Sequence, residues 1–144
     1  MNVLNESTVE IAALEYLREL GYSTEFGPEL APDTVRSERS AWNQVYLYER
    51  LREAIIRLNQ GIDSVSVDEA VKRLERAESQ NAVAENKRVH ELIRDGVPVE
   101  RRTTNGQLRT DRVRLIDFDH AANNEWLAVN QFTIIEGKNR SVRN

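Results

Sequence analysis

The sequence predicts an α+β fold, N-terminal helices followed by an antiparallel hairpin and meander, in one partial domain spanning residues 1–144. Three observations carry this reading. Apolar residues recur at helical spacing through the first two thirds of the chain. From Val97 the period shortens to two. An Asn105-Gly106 pair then stands between two alternating runs, the strongest short signal for a hairpin.

The first helix opens at Ser7-Thr8-Val9-Glu10, which fits a capping box, the hydroxyl and the carboxylate each satisfying a free backbone amide. Val9, Ala13, Leu17 and Leu20 fall on one face, with Ala12 and Tyr16 beside them, and Gly21 supplies a left-handed stop. Tyr22 to Phe26 reads as a short strand, and Gly27-Pro28 and Pro32-Asp33 mark a loop. A second helix starts near Trp42–Val45 and runs to Leu58, with Leu47, Leu51, Ala54, Ile55 and Leu58 as its buried stripe. Ser66-Val67-Asp68-Glu69 repeats the capping-box pattern and opens a helix to about Ala77. A fourth helix covers about Asn81 to Arg94, and Gly96 breaks it. Val97 and Val99 then alternate with polar residues, and the returning strand sets Val113 and Leu115 against Arg112 and Arg114. A turn at about Asp119–Asn124 leads to a last strand, Trp126 to Glu136. A strand this apolar normally feeds a larger sheet, so the chain reads as the front of something longer.

With 144 residues, 40% apolar and 31% charged, the chain has the composition of a globular protein. No apolar run approaches the ~20 residues of a membrane helix, and the N-terminus lacks a signal pattern. There is no cysteine, hence no disulfide and no cysteine nucleophile or metal ligand. These features favour the cytoplasm and predict no membrane partner. The net charge of −4 argues against a general nucleic-acid binder. Its distribution is uneven: eight basic and four acidic residues lie between Lys87 and Arg114, and the tail adds Lys138, Arg140 and Arg143.

Glu6 and Glu10 sit four apart, on one face of the first helix. Carboxylates are hard oxygen ligands suited to Mg²⁺, which takes one or two of them and keeps several waters. Against this stands the plain reading, that Glu10 caps its helix and Glu6 is solvated. Asp117 and Asp119 form an Asp-x-Asp at a strand end, either a pair of carboxylates for a divalent cation or, the favoured reading, a turn made by an Asp bonding its own backbone. Arg101, Arg102, Arg109, Arg112 and Arg114 around the hairpin either track a DNA phosphate backbone or form the solvated outer face of a ribbon. Gln131 interrupts the most apolar strand, as a satisfied core amide or as a group facing a site. His90 and His120 stand far apart, which makes zinc improbable. No Walker-type glycine loop is present, so ATP has no such site here.

Several blocks in order resemble the N-terminal segment of the R (restriction and motor) subunit of type I restriction enzymes. They are Glu6–Asp33, GVPVE at 96–100, the Asn-Gly turn, VRLIDFD at 113–119 and NNEWLAVNQFTIIEGK at 123–138. The resemblance runs from about Asn5 to Arg140. It implies an incomplete restriction-endonuclease-like domain whose complete form cuts duplex DNA with Mg²⁺ after ATP-driven translocation. It also implies modification and specificity subunits as partners. An acidic residue on the first core helix often lies near the metal in that family, which favours Glu10. The family continues with an Arg-Pro-Asp block and a strand ending in Glu-x-Lys. Here those positions read Ser141, Val142, Arg143, Asn144, so the sequence is expected to be a truncated fragment without nuclease activity.

Overall fold

The computed structural model describes residues 5–136 and 139–142. Its elements are helices α1 (Glu6–Glu19), α2 (Tyr48–Leu58), α3 (Ser64–Glu75) and α4 (Ala82–Asp95) and strands β1 (Ser23–Phe26), β2 (Val97–Arg102), β3 (Leu108–Val113), β4 (Leu127–Asn130), β5 (Thr133–Glu136) and β6 (Asn139–Val142). This is the α+β mixture expected. The chain divides into two compact units, one from residues 1–48 with 125–144 and one from residues 49–124. No helix among the described residues is long and apolar enough to cross a membrane. Lys138 and Arg143 of the basic tail lie outside the described residues.

In the first unit, β1 pairs with β4 in parallel, Ser23 opposite Leu127 and Phe26 opposite Asn130. An antiparallel meander does not anticipate this pair. Parallel strands need a long crossover, and here the whole of residues 49–124 lies between them. The run from Trp126 to Glu136 is not one strand. It breaks after Asn130, where Gln131 adopts φ 53°, and resumes as β5, which pairs antiparallel with β6. Leu30 and Ala31 are buried, and so is Arg39, only 2% exposed. The Arg39 guanidinium is held by carbonyls: Nε donates to Gln44 O (3.0 Å), Nη1 to Thr133 O (2.8 Å) and Nη2 to Trp42 O (2.7 Å). Its charge lies 4.2 Å from the Phe132 ring centroid.

Helix α1 starts earlier than the expected capping box allows. Its N-cap is Asn5, whose Oδ1 accepts from Thr8 N at 2.8 Å and from the Thr8 hydroxyl at 2.7 Å. Ser7 and Glu10 are therefore inside the helix, and Glu10 is released from capping. The apolar face is also rotated from expectation. Glu10, Leu14 and Leu17 are the half-buried positions, whereas Val9 is 56% and Leu20 58% exposed. The half-buried stripe accompanies packing on β1 and β4, and the apolar stripe is wider than that contact. Gly21 ends the helix at φ +93°, as expected.

The second unit is built on a valine-rich core. Ile55, Val67, Ala70, Val97, Val99 and Val113 pack together, with Leu51, Ile62, Val71, Leu92 and Leu115 around them. Burying each of the isoleucine and valine side chains at its centre contributes about 1.5–3 kcal/mol. Helix α2 begins only at Tyr48, so Leu47 precedes it, while Ile55 is its buried residue as the stripe requires. Helix α3 also starts upstream of its expected box, because Asp63 caps it by accepting from Ser66 N at 2.8 Å. Helix α4 is capped by Asn81 and stopped by Gly96 at φ +82°. Arg88 ties these two helices together, donating to Arg73 O (2.8 Å) and Leu74 O (3.4 Å) at the end of α3 and to Glu85 (2.9 Å). The β2–β3 hairpin closes through Thr103–Gln107. Only Gly106 of the Asn-Gly pair has positive φ, at 77°. The turn is thus a tight turn ended by a left-handed glycine, which needs one such residue, not two.

Candidate functional site

The candidate residues gather in two clusters, one in each unit. The first is built on Glu10. Helix α1 places this side chain toward the end of β4, where its carboxylate accepts from Asn130 Nδ2 at 2.9 Å and from Gln131 Nε2 at 3.3 Å. The two amides reach different oxygens, Oε1 and Oε2 respectively. Gln131 is exposed and adopts a backbone conformation that costs a non-glycine residue about 1–3 kcal/mol. It is therefore not a buried core amide. Gly27, directly after β1, seats the bend. A Cβ at this buried glycine would lie 2.5 Å from Gln131 O and 2.7 Å from Asn130 O. Only a glycine lets the two backbones approach so closely.

Glu6 lies one helical turn before Glu10, exposed at the start of α1. No three His, Cys, Asp or Glu side chains converge on a common point among the described residues. The donor set at this corner is thus one oriented carboxylate with amide groups beside it. It fits a Mg²⁺ ion as a single protein ligand, since that ion takes one or two carboxylates and keeps its waters.

The second cluster is the arginine hairpin. Directly opposed residues share a face in an antiparallel pair, so the register places Arg101 and Arg109 on the valine face and Arg102 and Arg112 on the other. The five arginines therefore form no single stripe. Asp111 sits between the first pair, 3.8 Å from Arg101 Nε and 2.9 Å from Arg109 Nε, and offsets their repulsion. Asp63 Oδ2 lies 3.9 Å from Arg101 Nη1. Arg112 donates weakly to Gly96 O at 3.4 Å, and Arg114 lies 3.5 Å from Asp117. Arg112 and Arg114 meet again in a groove of about 380 Å³, together with Arg94, Phe118, Asp95 and Asp119. Phe118 is 64% exposed.

Asp117 makes the turn expected of it. Oδ1 accepts from Asp119 N (3.1 Å) and His120 N (3.0 Å), and Oδ2 from Asn123 Nδ2 (2.9 Å). These bonds, that from Asn123 first, hold its carboxyl below the usual range, against the opposing effect of burial and with help from Arg114. Three of its roughly four acceptor sites are thus committed to the loop.

Asn130 and Arg94 are the residues that inspection of the sequence passes over. Asn130 was signalled by standing next to Gln131, two amides in succession inside an apolar run. Arg94 had only its place near a glycine stop, which says nothing of a groove.

A family model described as type I restriction enzyme R protein N terminus matches residues 3–142. The chain is 36% identical over 132 residues to the type I restriction enzyme HindI endonuclease subunit of Haemophilus influenzae, covering 92% of this chain and 12% of that protein. It is 33% identical over 132 residues to a protein of Methanocaldococcus jannaschii whose name gives it as a type I restriction enzyme MjaIXP endonuclease subunit, covering 91% and 12%. The chain thus spans about 12% of the length of these curated relatives. No solved structure matches it. On the match over residues 3–142, the chain belongs to the family of type I restriction enzyme R protein N termini.

Proposed function

We propose that this chain is the lead-in to a Mg²⁺-dependent nuclease domain, and that Glu10 is its contribution to the metal site. The whole subunit's reaction, in this reading, is cleavage of duplex DNA coupled to ATP-driven translocation, with modification and specificity subunits as partners. The observation that carries the reading is the Glu10 carboxylate, released from capping and gripped by two amides. When bound, Mg²⁺ polarises the phosphate and lowers the pKa of a coordinated water. Glu10 would hold the ion through carboxylate oxygen, and Glu6, one turn away, would add negative charge beside it. No Arg-Pro-Asp block occurs in this sequence, and its two Glu-x-Lys triplets, Glu85-Asn86-Lys87 and Glu136-Gly137-Lys138, have none before them as the family pattern requires. The isolated chain is therefore expected to leave plasmid DNA intact with Mg²⁺, and cleavage abolished by EDTA would refute that. The Glu10 assignment is tested by Mn²⁺ titration of ¹⁵N-labelled chain. Broadening centred on Glu10 is expected, and its persistence in Glu10→Ala would refute the assignment.

A second reading makes the second unit a docking module for duplex DNA or for the modification and specificity subunits. The groove that collects Arg94, Arg112 and Arg114 beside exposed Phe118 favours it. Forked guanidinium groups suit phosphate or carboxylate acceptors. Arg101, Arg102 and Arg109 lie along the hairpin leading to its tip. Duplex affinity that falls steeply with salt is expected for the DNA version. No binding at low salt would eliminate it, and a pull-down with the other subunits tests the docking version.

A further inference from the structure

We infer that Asn130 and Gln131 are positioning residues, whose side-chain amides hold the Glu10 carboxylate in the orientation in which a divalent cation shares it. This rests on the reading of Glu10 as a metal ligand. The first support is the pairing itself. Asn130 Nδ2 takes Oε1 at 2.9 Å and Gln131 Nε2 takes Oε2 at 3.3 Å. Amides are neutral donors, so they orient a carboxylate without cancelling its charge, as Lys or Arg would. Each carboxylate oxygen accepts at about two sites, which leaves one on each for a cation.

The second support is the backbone. In a regular strand successive side chains point to opposite faces. Two adjacent residues then cannot both reach one carboxylate. Here the strand breaks between β4 and β5, and Gln131 turns left-handed at φ 53°, which brings its amide to the side Asn130 already occupies. The break is what lets both amides converge. The third support is Gly27, whose bare backbone lies against the carbonyls of both residues and fixes the bend in place. A solvated or capping glutamate would require none of these devices.

The test uses the whole chain, ¹⁵N-labelled, with Mn²⁺ alone as the probe and Glu10→Ala as the zero. The variants are Asn130→Ala and Gln131→Gly. Glycine tolerates the positive φ, so Gln131→Gly removes the amide without adding strain. The Mn²⁺ concentration giving half-maximal broadening around Glu10 is expected to rise about tenfold or more in each, the usual effect of losing an outer-shell partner. A merely structural role would change the melting temperature and leave that concentration where it was. Equal concentrations in wild type and both variants would overturn the positioning role while leaving Glu10 a ligand. No broadening at Glu10 in the wild type would overturn the ligand reading, and the positioning role with it.

Discussion

Gly27 offers the sharpest test of how the corner is assembled. Its φ is not in the left-handed region, so alanine is conformationally allowed there. Space is what forbids it. A Cβ would meet Gln131 O at 2.5 Å, Asn130 O at 2.7 Å and Gln131 C at 2.7 Å, and every one of these atoms is backbone. No side-chain rotation relieves the clash, so the bend or the turn after β1 must shift. Overpacking of this kind costs about 1–3 kcal/mol. The reduced freedom of an unfolded alanine returns about 0.4–1 kcal/mol. Gly27→Ala is therefore expected to destabilise the first unit by about 1–2 kcal/mol. For a unit of this size that is a fall of roughly 5–15 °C in melting temperature. Circular dichroism gives the melt, and the Asn130 and Gln131 side-chain NH₂ signals report whether the amides leave Glu10. An unchanged melt with unmoved amide signals would mean that the two backbones are not in the contact described.

Arg39→Ala is expected to cost about 1–3 kcal/mol, because it removes the three bonds that the buried guanidinium donates to the carbonyls of Trp42, Gln44 and Thr133. Urea unfolding would show this, and a loss below about 1 kcal/mol would contradict the bonding described. Asn59→Ala removes a reciprocal pair with the Arg114 backbone, both bonds 2.8 Å, and should cost about 1–3 kcal/mol with faster hydrogen exchange at Arg114 N. The carboxyls of Asp63, Glu85 and Asp117 are all held below their ordinary values. Asp63 is lowered by Ser66, and Glu85 by Arg88 and the Glu78 and Ser79 amides, which outweigh its larger upward push from desolvation. Asp117 is lowered by Asn123 and the His120 amide. A depressed folded value means the unfolded chain binds more protons, so this stability is present above the unfolded range of about 3.9–4.3 and is lost as pH falls through the folded values. Melting temperatures measured from pH 6 to pH 2 should fall through that acid window, and less steeply in Asp117→Asn.

Much of the fold was legible because it rests on local rules. Helical spacing locates α2 by Ile55 and α4 by its glycine stop. The Asn-Gly pair locates the hairpin, although one left-handed glycine sufficed. Both capping boxes were misplaced for a shared reason. Asn5 and Asp63 stand just upstream of Ser7 and Ser66, and a side-chain oxygen there reaches the first free amides before the serines do. The parallel pairing of β1 with β4 was not legible, because it joins segments about a hundred residues apart and leaves no periodic trace in either.

The site divides along the same line. Glu10 was visible as a candidate, but its partners were not, since with Asn5 as the cap the Glu10 carboxylate meets the Asn130 and Gln131 amides instead of the start of its own helix. The apolar run from Trp126 was read as continuous because period-two alternation cannot represent a left-handed residue. Yet the run contained its own contradiction. Two adjacent amides inside a strand place at least one of them on the wrong face, whichever face is buried. A chain resolves that conflict by exposing one amide or by turning the backbone so that both face one partner. Gln131 does both, exposed and left-handed, and the partner is a carboxylate some 120 residues earlier in the chain. Adjacent amides within an apolar run are therefore a sign of a bend with a polar target, and Glu10, uncapped on a neighbouring helix, is that target here.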